Sequence, residues 1–260
     1  MKRLVAAVMF LTRLPVPGHW DLDASDVGRA AAFFPLIGAG IGAIQCGVLL
    51  AALRAAQWAG KHSAHLPALP APVLAVILVT LSVLITGALH LDGLADMADG
   101  FGGGRTRDDV LRIMRDHAIG AYGAIALVLA LALKIVSIVP LIEHNAAYAY
   151  LVVAPALARG SIVVLGFFLP YARSSEGGLG GSAQHIGVIE LLVSSATALA
   201  LAFWLINWRA GVALFVIVLV SLWNARLCWK KIQGMTGDTL GANAEVCETL
   251  VLAAGAILTS

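Results

Sequence analysis

The chain has 260 residues, of which 60% are hydrophobic and 12% charged, with a formal net charge of +2 and a mean hydropathy of +0.91. Soluble domains carry about a quarter of their residues as charged groups, so this composition excludes an ordinary globular enzyme and identifies an integral membrane protein. Lipid offers an open backbone no hydrogen-bond partner, and the long unbroken apolar runs select helices over a closed barrel.

In chain order, Met1-Lys2-Arg3 and the apolar stretch to Leu11 have the outline of a signal sequence. Pro15 and Pro17 break it and no small-x-small cleavage site follows, so a retained segment that lies in the interface or re-enters the bilayer is expected. Seven spans follow at 33–53, 72–89, 118–139, 146–169, 186–206, 209–225 and 240–258, each near the roughly 20 residues a crossing needs. In the first, Gly38-x-Gly40-x-Gly42 is expected to let helices approach closely. The fold class is therefore all-α, a polytopic transmembrane helical bundle, and residues 1–260 leave room for one membrane domain only. Cys46, Cys228 and Cys247 form no paired motif and read as core or lipid-facing thiols.

With the N-terminus cytoplasmic, twelve of the 17 Lys and Arg residues fall on the cytoplasmic side, and Arg54, Lys61 and Arg209 on the other. That is a positive-inside bias. Lys134 and Arg159 stay within spans, where they need internal partners or must snorkel. The same topology puts every dense polar motif on one face, which favours chemistry with cytosolic reactants over a path through the bilayer.

The first such motif is His90-Leu91-Asp92-Gly93-Leu94-Ala95-Asp96-Met97-Ala98-Asp99-Gly100. On a helix, Asp92, Asp96 and Asp99 fall within an arc of roughly 60°. Carboxylates so placed repel one another, and a divalent cation relieves them. An oxygen-only donor set indicates Mg²⁺ or Mn²⁺ rather than zinc. His90 stands beside them to orient a carboxylate or touch substrate. A solvated acidic helix start is the competing reading.

Arg105 follows, then Arg112 and Arg115 on one side of a short surface helix, with Asp116 at the entrance to the third span. Opposite in sign to the aspartates, they suit a phosphate-rich substrate held between metal and guanidinium, or else lipid headgroups. The last motif runs from Gly234 to Glu245. In it Asp238 either shares a helical face with Glu245 or caps the helix, and Glu245, inside an apolar run, needs a partner among Arg159, Lys134, His185 and the metal cluster. No GxxxxGK[ST], HExxH or GxSxG motif is present, which disfavours P-loop, zinc-protease and serine-hydrolase chemistry.

His90 to Gly100, Met114-Arg115-Asp116 and Thr236-Gly237-Asp238-Thr239-Leu240-Gly241-Ala242, with Phe10-Leu11-Thr12-Arg13-Leu14-Pro15-Val16-Pro17 and Phe34-Pro35-Leu36-Ile37-Gly38, closely resemble the cobalamin synthase family, the adenosylcobinamide-GDP ribazoletransferases. The likeness covers nearly the whole chain. It implies a bacterial inner-membrane enzyme, with its active site facing the cytoplasm, that completes the cobamide nucleotide loop. Adenosylcobinamide-GDP and α-ribazole, or its 5′-phosphate, would give adenosylcobalamin or its phosphate and GMP.

The resemblance further implies Mg²⁺ held by Asp92, Asp96 and Asp99. With the residue reading above, catalytic roles are expected for Asp99, Asp116 and Arg115, and substrate contacts for His90, Arg105, Arg112, Arg115, Arg159, Thr236, Asp238 and Glu245. The expected chemistry is attack by the ribazole 5′ hydroxyl on the phosphorus attached to cobinamide, with Asp99 or Asp116 taking the proton. Membrane lipid is an expected partner, nucleic acid is not, and a homo-oligomer is left open. Two other readings stay open at this point: a CDP-alcohol phosphotransferase, whose acidic motif is distantly similar, and a cation or small-molecule transporter.

Overall fold

A computed structural model describes residues 1–62, 69–173 and 179–259. The described chain is helical: α1 (Lys2–Leu11), α2 (Ala24–Ala30), α3 (Phe34–His62), α4 (Ala71–Thr86), α5 (Leu89–Gly103), α6 (Arg107–Ile113), α7 (Ala121–Glu143), α8 (Ala147–Phe168), α9 (Val188–Ile206), α10 (Arg209–Ile232) and α11 (Gly237–Thr259). Among the described residues six helical stretches are long and apolar enough to cross a membrane, or seven when the bent pair α4–α5 counts as one. The seven expected spans correspond to α3, α4 and α7 to α11. The sixth runs on to Ile232, because Arg226, Lys230 and Lys231 end the apolar run without ending the helix.

Two helices form the centre. The most apolar windows of α8 and α11 are 78% and 72% buried, against 22–33% for the other long spans, whose outer faces are left for lipid. Small residues let α3 lie directly on α8: a Cβ at Gly38 would come 2.3 Å from the Pro155 carbonyl, and one at Gly42 2.0 Å from that of Leu151. Gly40, between them, faces open space. The packing surface is thus the i, i+4 pair.

At the end of α4 the chain turns through 88°. Gly87 (φ 61°) and Ala88 (φ 59°) are both left-handed there, a conformation glycine adopts freely and alanine only at a cost of about 1–2 kcal/mol. Arg13 sets the corner from outside, its N–H donating to the Ile85 carbonyl at 2.7 Å and its stem covering Gly87. We read α4 as the crossing arm and α5 as lying along the membrane boundary, outside the spans.

The N-terminal segment does not cross. Its ten-residue α1 is about 15 Å long, half the apolar thickness of a bilayer. A reciprocal cap between Asp23 and Asp26 starts α2, Lys2 reaches Asp26 at 2.7 Å, and Phe10 stacks on Phe34 with centroids 5.6 Å apart. Gly177 and Gly178, in the glycine-rich stretch Gly177-Gly178-Leu179-Gly180-Gly181, lie outside the described residues.

Candidate active site

The Thr236–Thr239 stretch begins α11 by capping itself. Thr239 N–H donates to Thr236 Oγ1 at 3.3 Å, Thr236 N–H to Thr239 Oγ1 at 2.9 Å, and the Thr236 side chain is fully buried. Pro170–Arg173 runs beside this turn: Ala172 N–H donates to the Met235 carbonyl and Met235 N–H to that of Pro170, both at 2.8 Å. The pairing aims Arg173 inward. Its Nη2 lies 2.8 Å from Asp238 Oδ2 and also donates, at 3.5 Å, to the carbonyl of Met114.

Helix α5 lies across this first turn of α11. A Cβ at Gly93 would come 2.6 Å from the Asp238 carbonyl, so only glycine permits the approach. Asp92 and Asp96 flank Gly93 on α5 and are thereby brought to Asp238. Burial first, and then the charges of Asp92 and Asp238, push the Asp96 carboxyl up to about 7, with Arg173 opposing. Like charges gathered in partly buried space disfavour one another's ionisation. Of the acidic face expected from sequence, Asp92 and Asp96 come together here, with Asp238 joining them.

Asp99 is turned elsewhere. Its carboxylate accepts from Gly120 N–H at 2.7 Å and Gly123 N–H at 2.9 Å, which caps the start of α7 from a neighbouring helix. Each oxygen keeps a further lone pair. Asp116 accepts from Ala118 N–H at 3.1 Å and is exposed, as are Arg105, Arg112 and Arg115. Arg112 also lies 3.6 Å from Asp109 on its own helix. A small separate core of Val110, Met114, Ala172, Cys228 and Ile232 fixes α6 beside the acids. Arg107 and Lys231 serve as ties, donating to the carbonyls of Ile232 (3.1 Å), Ala172 and Phe101 (2.9 Å).

His90, Arg159 and Glu245 are buried on the bundle side of this face. Lys134 pairs with Glu245 and, at 3.0 Å, with Glu248, whose other oxygen accepts from Arg159. Two cations and two anions form a network with no net charge, which satisfies mid-span groups that lipid cannot solvate. Of the partners open for Glu245, the structure selects Lys134. Glu248 and Arg173 are the residues sequence reasoning missed. Glu248 was signalled by an acid one turn from Glu245 in an apolar run, whereas Arg173 had only its positive charge.

Among the described residues no three His, Cys, Asp or Glu side chains form a finished metal cage. Magnesium does not require one: it retains water and binds through one or two carboxylates together with substrate phosphates. The all-oxygen set of Asp92, Asp96 and Asp238, in which burial and the neighbouring carboxylates hold one carboxyl back from ionising, fits that ion. Asp92 and Asp238 also line a cavity of about 260 Å³ between α1–α2 and the α5–α11 crossing.

The cobalamin-5-phosphate synthase family model matches residues 3–256. Similar proteins include the adenosylcobinamide-GDP ribazoletransferase of Chlorobium phaeobacteroides (strain BS1), 36% identical over 99% of this chain and 98% of the relative. That of Prosthecochloris aestuarii (strain DSM 271 / SK 413) is 39% identical over 98% and 97%. That of Mesorhizobium japonicum (strain LMG 29417 / CECT 9101 / MAFF 303099) is 39% identical over 97% and 92%. No solved structure matches.

Proposed function

The chain belongs to the cobalamin-5-phosphate synthase family, and from that premise we propose how its own residues carry out the family's reaction. It is a membrane transferase of cobalamin nucleotide-loop assembly, passing adenosylcobinamide phosphate from adenosylcobinamide-GDP to α-ribazole or α-ribazole 5′-phosphate and releasing GMP. A ribose oxygen of the acceptor bonds to the phosphorus attached to cobinamide. The bond from that phosphorus to the bridging oxygen breaks, and this oxygen leaves with its electron pair in GMP. The expectation of 5′ attack needs revision: a product that carries a 5-phosphate arises from an acceptor with no free 5′ hydroxyl, so a secondary ribose hydroxyl attacks.

The observation that carries the reading is the crossing of α5 on α11, which gathers Asp92, Asp96 and Asp238 with Arg173. Asp92, Asp96 and Asp238 would hold Mg²⁺, and Asp99, each of whose oxygens keeps a lone pair beyond the α7 cap, is the further acid on α5. When bound, the ion would supply positive charge that offsets the charge developing on the leaving group.

Arg173 holds Asp238 in place and sets a second cation beside the leaving phosphate. Asp99 fixes the start of α7 and with it the loop bearing Arg115 and Asp116. On that loop Arg115 meets the phosphate and Asp116 takes the proton of the acceptor hydroxyl. His90 closes the floor of the site, supported from beneath by Arg159 and Glu245, while Thr236 holds the cap that positions Asp238. Arg105 and Arg112 form the outer rim, toward substrate phosphate or lipid headgroups. The Lys and Arg asymmetry supports a cytoplasmic N-terminus and a site facing the cytoplasm at the bacterial inner membrane.

Purified protein in liposomes, given adenosylcobinamide-GDP, α-ribazole and Mg²⁺, should yield GMP and a corrinoid product whose mass contains the ribazole. CMP release from a CDP-alcohol, or cargo flux without covalent conversion, would overturn the reading in favour of a lipid phosphotransferase or a transporter.

A further inference from the structure

The cavity of about 260 Å³ is walled on one side by the N-terminal segment, which the transfer chemistry does not use, and on the other by α5, α8 and α11. Its interior is apolar: Val27, Ala31, Phe34, Ala183 and Ile186 are all buried. The polar groups along the wall are His90, Ser182, Thr12 and Thr86, of which Thr12 donates to the Val8 carbonyl at 2.7 Å and Thr86 to that of Ser82 at 2.9 Å. The rim is polar, with Arg13, exposed Asp92 and partly exposed Asp238. An apolar interior that ends at the reacting carboxylates suits a molecule with an apolar ring at one end and a reacting hydroxyl at the other.

We propose that this cavity is the acceptor subsite: it takes the dimethylbenzimidazole ring of α-ribazole and leaves the ribose at the rim beside Asp92 and Asp238. This assignment rests on the transfer reaction given above. Of the groups that reaction brings to the site, the corrin ring is far too large for the space. Guanine would bury an amide and an amino group against a wall made largely of Val27, Ala31, Phe34, Ala183 and Ile186, which offers them few partners. The methylated benzimidazole alone is flat, apolar and of nucleoside-base size. The N-terminal segment is therefore a specificity wall, braced by the Phe10–Phe34 stack and by the Lys2–Asp26 pair.

The test varies cavity size and reads base preference. Ala31→Leu, which fills the interior, should raise KM for α-ribazole by about tenfold or more, the scale of a misfitted methylene or two, while KM for adenosylcobinamide-GDP stays within about twofold. The unmethylated benzimidazole ribonucleoside should recover most of that loss, a rescue that general damage to the fold would not give. Ile186→Ala, which enlarges the space, should instead improve use of a naphthimidazole ribonucleoside, and it decides the matter alone if Ala31→Leu does not fold. A rise in donor KM in step with acceptor KM, or no change of base preference in Ile186→Ala, as a cavity filled by a lipid chain would give, overturns the subsite. Failure of the wild-type protein to release GMP from both natural substrates would instead sink the transfer reaction itself, and this inference with it.

Discussion

Arg173 Nη2 lies 2.8 Å from Asp238 Oδ2, and the same nitrogen reaches the carbonyl of Met114. One side chain thus joins the first turn of α11, the segment after α8 and the loop carrying Arg115 and Asp116. These segments are far apart in sequence and are brought together by this contact, the α5–α11 crossing and the small core around Met114 and Ala172.

Replacing Arg173 with alanine should lower the rate of GMP release by about 10²–10³-fold, the usual cost of removing a preorganised group that faces developing charge. Arg173→Lys should recover part of it, since an ammonium restores charge without the planar fork. Steady-state kinetics on both variants checks this, and wild-type rates in Arg173→Ala would confine the residue to the surface.

The α5–α11 approach gives a second prediction. Gly93→Ala places a methyl group where only 2.6 Å separates it from the Asp238 carbonyl, so the helices must part and transfer should fall sharply. Gly40→Ala, which meets nothing within 4 Å, should behave as wild type in the same assay.

For Asp99 the first effect should be on stability. Asp99→Ala leaves the Gly120 and Gly123 N–H groups without their acceptor, at a cost of about 1–3 kcal/mol, and Asp99→Asn should cost less. Thermal unfolding in detergent measures it. An unchanged Tm together with a raised Mg²⁺ requirement would instead make Asp99 a ligand and not an anchor.

The buried network predicts non-additivity. Glu245→Leu leaves Lys134 and Arg159 sharing the single carboxylate of Glu248, one uncompensated positive charge in the bundle, and should cost about 3–5 kcal/mol, whereas the double change Lys134→Met with Glu245→Leu leaves the Arg159–Glu248 pair neutral and should be the more stable protein. Comparing the Tm of the two variants tests the sign.

Much of this molecule was legible in the chain because hydropathy and spacing are local. The long apolar helices and the shared face of Asp92 and Asp96 follow from windows of about twenty residues, whereas the corner at Gly87 and Ala88 falls inside the span expected over 72–89. Helix ends past the apolar runs, at His62 and Ile232, were less legible, since charged residues can continue a helix outside the membrane. Pairings across long separations were invisible: Arg173 with Asp238, Asp99 with Gly120 and Gly123, and Arg159 with Glu248 each depend on how helices pack. Glu245 illustrates the boundary, because its need for a partner could be read from burial while the identity of Lys134 could not.

The most direct test of the central claim, that acids gathered on α5 and the start of α11 collect Mg²⁺ to split the diphosphate, is the Mg²⁺ dependence of GMP release in wild type and Asp96→Asn. Wild type should show no release without divalent ion and a saturable rise with it, while Asp96→Asn should need about tenfold or more Mg²⁺ for half-maximal rate, the low end of what losing a metal contact costs. Coincident curves at subsaturating Mg²⁺ would contradict the account.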